Sequence, residues 1–255
     1  MGEADTGELS PLVMEPGDYR SFDLSPDEKQ RAFTKSAARS TSVWVHELEK
    51  GSTVPWTFGD TEYTDPRWTN DSRLLATKWQ PEPMAIVQIS ADGSQSVVST
   101  PVTALDDVSL DRQYVLYRYR GLHAKPLGEG TQATLVRKAP SGFMDQAQFS
   151  PDTRWIAYHA DETGRFEVYV TPFPGPGERQ PISSGGAVQP MWRRDGRELY
   201  YLGSTECCMP SNCGPTASIC ILRIGRCSKR ELRHPKVSNS TLQAPTASVF
   251  SSSNL

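Results

Sequence analysis

Short apolar runs separated by turn residues dominate the chain, and no long stretch repeats its apolar residues at helical spacing. Residues 43–48, 84–89 and 166–170 are runs of β-branched and aromatic side chains, the composition typical of strands. The 20 Pro and 19 Gly are spread between such runs, which indicates frequent turns. The pattern therefore predicts an all-β fold in which helix is scarce.

A short segment recurs five times along the chain. Each copy has a large apolar residue, two further residues that are Ser-Pro in the clearest copies, and an aspartate. The aspartates lie 40 to 44 residues apart, at Asp27, Asp71, Asp111, Asp152 and Asp195. An apolar strand core follows each of them within a few residues. A strand-rich period near ~42 residues is that of a four-stranded antiparallel propeller blade.

The segment predicts a hairpin between the first two strands of each blade. Pro presets φ for a tight turn, and Asp can bond the backbone ahead of it. A glycine would suit the next position, where φ is positive, but Gly196 stands there in one copy only; the other copies have Glu28, Ser72, Arg112 and Thr153. The predicted core includes Leu24, Trp68, Val108, Phe149, Trp192, Ala157 and Tyr158.

The repeat sets the predicted organisation. Blades are expected at about 17–58, 59–100, 101–142, 143–184 and 185–225 within propeller repeats over 17–203. Residues 1–16 would supply the outer strand of a preceding or closing blade. Since propellers have ~4–8 blades, one or two are expected to be missing. The third repeat lacks a clear third strand, because residues 120–130 are a poor strand sequence. Arg31 occupies a position where an apolar residue is expected, so either its side chain snorkels to the surface or that blade is distorted.

Residues 204–255 form a divergent tail rich in Cys and Ser. All five cysteines lie there, at Cys207, Cys208, Cys213, Cys220 and Cys227. Their spacing fits no standard zinc pair, so neither a metal site nor a disulfide framework is predicted. The abrupt change of composition after Leu202 favours a disordered or out-of-frame terminus.

Composition excludes several partners. A net charge of −3 with 22% charged residues gives no basic footprint for nucleic acid. No apolar stretch approaches the ~18 residues of a membrane helix, and the polar start is no signal peptide. The chain as written is therefore expected in the cytoplasm, or outside the membrane if it is the C-terminal part of a membrane-anchored kinase.

Motifs for catalysis are absent from the sequence. A kinase needs a Gly-rich loop, H-R-D and D-F-G; a serine hydrolase needs G-x-S-x-G. None occurs, and Arg193-Arg194-Asp195 is explained by the turn. No catalytic residue, cofactor or metal is predicted. The histidines, including His46 and His159, are interpreted as strand surface residues, and the tryptophans as packing between blades.

Residues 149–158, 161–170, 172–177 and 189–202 together resemble the C-terminal propeller of a group of bacterial serine/threonine protein kinases. The same WD40-like repeat, also called PD40, occurs in TolB-like proteins and in the propellers of prolyl-oligopeptidase-type peptidases. In the kinase group a kinase domain and usually a membrane helix precede the propeller. The resemblance implies a kinase-associated sensor or docking propeller without kinase activity of its own.

Three functional hypotheses follow. The first is a non-catalytic module that binds a protein or peptide, or a small ligand in a central funnel, as part of a kinase. The second is the gating propeller of an oligopeptidase whose hydrolase domain is missing, and the third is a TolB-like envelope protein. Loops at one rim are the candidate binding site, near Tyr19, Tyr63, Asp107, Asp145 and Gln189.

Overall fold

A computed structural model describes residues 17–37, 40–138, 143–175, 177–203 and 218–223. Over this range the secondary structure is strand and turn, without helix. The prediction of an all-β fold is therefore confirmed. The expectations for residues 1–16, and for the tail except 218–223, fall outside the described residues.

The chain divides into two compact units, residues 1–102 and 103–255. The first unit holds two four-stranded antiparallel sheets. One sheet comprises β1 (Asp18–Leu24), β2 (Gln30–Ala37), β3 (Ser40–Glu47) and β4 (Thr53–Pro55), and the other comprises β5 (Tyr63–Trp68), β6 (Leu74–Lys78), β7 (Ala85–Ile89) and β8 (Gln95–Ser99). Each strand pairs with the next one in sequence, which is the arrangement of a propeller blade.

The second unit repeats this arrangement. Its first sheet comprises β9 (Ala104–Val108), β10 (Tyr114–Arg118), β11 (Gly121–Pro126) and β12 (Thr134–Lys138), and its second comprises β13 (Met144–Phe149), β14 (Trp155–Ala160), β15 (Glu167–Pro172) and β16 (Gln180–Pro181). A three-stranded sheet of β17 (Ala187–Trp192), β18 (Glu198–Gly203) and β19 (Ser218–Arg223) follows.

The predicted turn closes the first hairpin of every sheet. In the first sheet Ser25 Oγ donates to Asp27 Oδ1 at 2.5 Å and accepts the N–H of Gln30 at 2.9 Å. The same hydroxyl-to-aspartate bond recurs at Thr69, Ser109 and Ser150. The residue after each aspartate has a positive φ of 56° to 69°, whether it is Gly196 or not. The hydrogen bonds of the turn thus offset the cost of a left-handed residue that carries a side chain.

Side chains link consecutive sheets within each unit. Asp23 Oδ2 accepts the backbone N–H of Trp68 at 2.7 Å, and Asp107 Oδ2 accepts that of Phe149 at 2.9 Å. Gln148 Oε1 accepts the N–H of Trp192 at 2.8 Å. In each case an inner-strand side chain holds the residue that precedes the turn of the following sheet, so the register between sheets is fixed by a repeated contact.

Six of the seven predicted core residues are buried, but Leu24 is 39% exposed. Trp68, Phe149 and Trp192 each pack against the sheet that precedes them in the chain. The described residues include no sheet before Leu24. Leu24 therefore has the same place in the repeat as these three residues, but no described sheet covers its side chain.

One further expectation from the sequence is wrong, and one pair of alternatives is decided. The third repeat does form a third strand, β11, because Leu122 and Ala124 are buried on one face while β10 and β12 pair with its two edges. Such tertiary packing outweighs weak strand propensity. Arg31 does not distort its sheet, since the β2–β3 register is unbroken around it and its side chain is half-buried, as for a snorkelling arginine.

Candidate functional site

A charged cluster lies where the inner strands of the second unit begin. We call Asp106, Arg118, Asp145 and His159 the rim cluster. Asp106 is in β9, Arg118 ends β10, Asp145 is the second residue of β13, and His159 lies opposite it near the end of β14. Because antiparallel neighbours begin where the preceding strand ends, all four side chains belong to one end of their sheets.

Arg118 is the centre of the cluster. Its Nε lies 2.9 and 3.1 Å from the two carboxylate oxygens of Asp106, whose side chain is only 2% exposed. Its Nη2 pairs with Asp145 Oδ1 at 2.7 Å, and its Nη1 donates to the carbonyl oxygen of Met144 at 3.1 Å. One guanidinium therefore holds two neighbouring sheets together by hydrogen bonds to charged groups, which are the stronger kind.

Burial dominates the titration of Asp106. It raises the pKa of this carboxyl from its ordinary value near 3.8 to about 7, although Arg118 and the Ala147 N–H favour the charged form; the nearby Asp145 adds to the rise. Desolvation of the charge outweighs the single ion pair here. The rim cluster thus contains a carboxyl group that changes its charge near neutral pH.

His159 is buried, which corrects its interpretation as a strand surface residue; His46 is likewise buried. The imidazole of His159 packs edge-on against Phe166 with ring centroids 5.1 Å apart, and its Nδ1 accepts the backbone N–H of Gln189 at 3.4 Å. Burial lowers its pKa below the ordinary value. A neutral ring with its proton on Nε2 fits this bonding.

Two of the five rim residues predicted from the sequence meet in this cluster. Asp145 pairs with Arg118, and the backbone of Gln189, at a positive φ of 56°, bonds His159. Asp107 instead holds the Phe149 N–H and serves the link between sheets.

The two predicted tyrosines belong to the first unit, where they pack against their own sheets. Tyr19 stacks edge-on against Phe33 at 5.3 Å. Tyr63 is 3% exposed, and its hydroxyl accepts a hydrogen bond from Gln95 Nε2 at 2.9 Å.

Sequence reasoning missed Asp106, Arg118 and His159. One signal was present: Asp106 and Asp107 are consecutive in an otherwise apolar strand, where carboxylates need hydrogen-bond or charge partners. A β-bulge at Asp106 breaks the alternation of β9, and both carboxylates accept backbone N–H groups of β13.

Aromatic side chains flank the rim cluster. Phe143, which precedes β13, is 76% exposed and its carbonyl oxygen accepts the Asp161 N–H at 2.9 Å; Phe166 is 36% exposed. Among the described residues, no group of three or more His, Cys, Asp or Glu side chains is arranged to hold a metal ion. The arrangement offers apolar contact and fixed charges for binding a ligand.

Comparison with solved structures identifies the fold. A TolB-type protein from Agrobacterium tumefaciens superposes with a TM-score of 0.65 at 14% identity, covering 83% of this chain and 79% of that one. The fold is a TolB-like β-propeller. A structure from a study of two prolyl endopeptidases matches with a TM-score of 0.56 at 17% identity, over 80% of this chain and 33% of that one. At these identities the likeness concerns the fold alone.

One curated relative shares sequence with the propeller. It is an uncharacterized peptidase, YuxL, of Bacillus subtilis (strain 168), 26% identical over 54% of this chain. The matched region is 29% of the length of that protein. No family model matches the chain. In the described part of the propeller, no helix has the length and apolar character needed to span a membrane.

Proposed function

We propose that this propeller is a non-catalytic binding module that captures an extended segment of a peptide or protein at the rim cluster. The observation that carries the proposal is the combination of a fixed charged centre and an exposed aromatic ring. Arg118 holds Asp145 in place at 2.7 Å while Asp145 keeps 47% of its side chain exposed. Phe143, two residues away, is largely exposed.

The geometry supports peptide binding because both groups are held before a ligand arrives. Preorganised side chains lose little conformational entropy on binding. The exposed ring of Phe143 can cover an apolar side chain of the ligand. The exposed part of the Asp145 carboxylate can accept a backbone N–H or a basic group. Aromatic residues that surround fixed polar groups are typical of binding hot spots.

Selection of random heptapeptides displayed on phage against the whole purified chain tests the proposal. We expect enriched peptides to combine an apolar residue with a basic one and, once synthesised, to bind with micromolar dissociation constants. Phe143→Ala and Asp145→Asn should each weaken binding about tenfold, equivalent to about 1.4 kcal/mol. Titration calorimetry measures the affinities, and thermal melting checks that both variants remain folded.

Phe58→Ala is the matched control, because Phe58 is a comparably exposed phenylalanine of the first unit. It should bind the selected peptides as the unaltered chain does. Binding at the rim cluster would be refuted if the selection enriches no peptide, or if the selected peptides bind Phe143→Ala and Asp145→Asn with unchanged affinity.

The larger context of the module has two candidates. Similarity to YuxL and to the prolyl endopeptidase fold supports a propeller that accompanies a hydrolase domain and controls access to it. The sequence resemblance of residues 143–202 supports a sensor propeller of a serine/threonine kinase instead. Reading the flanking coding sequence decides between them: G-x-S-x-G downstream favours the peptidase, and H-R-D with D-F-G upstream favours the kinase. A TolB-like envelope role would be favoured by a signal peptide.

A further inference from the structure

A second surface feature lies in the first unit, which contains none of the rim cluster residues. A cleft of about 410 Å³ opens beside the connection between β6 and β7, and it is lined by Glu62, Trp79, Gln80, Pro81, Glu82 and Met84. This volume suffices for one large side chain, since whole drug-sized ligands occupy clefts of roughly 300–1,000 Å³.

Trp79 is the fixed wall of the cleft. Its indole Nε1 donates to Thr64 Oγ1 at 3.0 Å, and its backbone N–H donates to the carbonyl oxygen of Glu62 at 3.0 Å. The side chain nevertheless stays 40% exposed, whereas Trp56 and Trp68 are buried in the core. An anchored indole ring that faces solvent is a surface to which a cation is attracted.

The two glutamates give the cleft its charge. Glu62 and Glu82 line the cleft, and neither carboxylate forms a hydrogen bond or ion pair with the residues that the structure describes. Among the described residues, the adjacent Lys78 forms no ion pair with either glutamate; its ammonium lies 5.9 Å from the centre of the Tyr63 ring and 3.4 Å from Gln95 Oε1. Two carboxylates beside an indole therefore remain available to a positively charged ligand.

We infer that this cleft binds the guanidinium group of an arginine side chain on a partner peptide or protein. Guanidinium is planar, stacks on aromatic faces and pairs with carboxylates in a two-pronged geometry. Guanidinium is also less strongly hydrated than an ammonium, so it loses less hydration free energy when it enters a partly apolar cleft. Pro81 and Met84 supply that apolar part of the lining.

Nuclear magnetic resonance of the ¹⁵N-labelled chain tests the inference at the residue concerned. The indole N–H signal of Trp79 is identified as the one missing from Trp79→Phe. Three capped tripeptides, Gly-X-Gly with X as arginine, lysine or citrulline, are then titrated. Citrulline has the shape of arginine without its charge. We expect the arginine peptide to shift the Trp79 signal saturably with a millimolar dissociation constant, the lysine peptide to bind at least threefold more weakly, and citrulline to have no effect.

Variants separate the cleft from general electrostatic attraction. Glu62→Gln/Glu82→Gln should weaken the arginine peptide about tenfold. The control pair, Glu129→Gln/Glu178→Gln, removes two exposed carboxylates elsewhere and should leave the affinity unchanged. Equal binding of arginine and lysine, an equal response to citrulline, an equal loss in the control pair, or no shift of the Trp79 signal would each overturn the assignment.

Discussion

Replacing Arg118 with methionine should destabilise the propeller by about 3–5 kcal/mol at pH 8, the usual cost of leaving one partner of a buried ion pair uncompensated. The side chain of Asp106 is 2% exposed, so its carboxylate would lose its cation without gaining water. At pH 5 the loss should be smaller by about 1 kcal/mol, because Asp106 is then protonated with or without Arg118, and ionisation one pH unit above a pKa of about 7 contributes at most about 1.4 kcal/mol.

The direction of this pH dependence follows from the raised pKa. Asp106 binds its proton up to about pH 7 in the folded chain, against a reference value of 3.8. Between pH 3.8 and about 7 the folded state therefore binds more protons than the unfolded state. The stability that this proton binding contributes at low pH is lost as the pH rises through about 7. The groups that face Asp106 are Arg118 of β10 and Asp145 of β13.

Urea unfolding followed by circular dichroism at pH 5 and pH 8 measures the effect. Asp106→Asn in the Arg118→Met background supplies the control, since a neutral side-chain amide at this position can still accept the Ala147 N–H. The double variant should be more stable than Arg118→Met alone at pH 8. Equal losses at the two pH values, or a double variant no more stable than the single one, would contradict the assignment of a buried charge at Asp106.

Truncating Trp68 to alanine should cost about 3–5 kcal/mol, the range for deleting a large buried aromatic side chain. Trp68 is fully buried, and its ring lies edge-on against Trp56 with centroids 5.4 Å apart. It also packs on Ala32, Val43 and Val45 of the preceding sheet. The substitution therefore removes contacts between two sheets as well as within one.

Trp79→Ala is the matched comparison, because Trp79 is an exposed tryptophan of the same sheet region. Its loss should cost less than about 1 kcal/mol, as for most surface substitutions. Urea unfolding followed by circular dichroism gives the free energies of unfolding of both variants without relying on tryptophan fluorescence. Comparable losses for Trp68→Ala and Trp79→Ala would show that position 68 does not anchor the sheets as described.

The sequence predicted the fold well because its strongest signals are local. The Ser-Pro-Asp turn is contained in a few residues, and the hydroxyl-to-aspartate bonds of Ser25 and Ser150 are made within that segment. The positive φ of Glu28 and Thr153 likewise depends on the turn alone. A hairpin specified in this way sets strand order without information from distant residues.

Features that depend on a neighbouring sheet were harder to predict. Leu24 and Trp68 occupy the same place in the repeat, but only Trp68 has a described sheet to cover it. A β-bulge at Asp106 breaks the alternation of β9, so both Asp106 and Asp107 reach N–H groups of β13. The sequence shows neither this bulge nor the pairing of Asp106 with Arg118. His159 was assigned to a surface because the burying neighbours, Phe166 and the backbone of Gln189, come from other parts of the chain.

Amide hydrogen exchange, resolved by residue, tests most directly that one hairpin unit recurs and is fastened to the next. Slow exchange is expected throughout β2, β6, β10 and β14, and also at the N–H groups of Trp68, Phe149 and Trp192, whose acceptors are side chains of the preceding sheet. Rapid exchange of these three amides, or middle strands no better protected than the turns, would contradict the account.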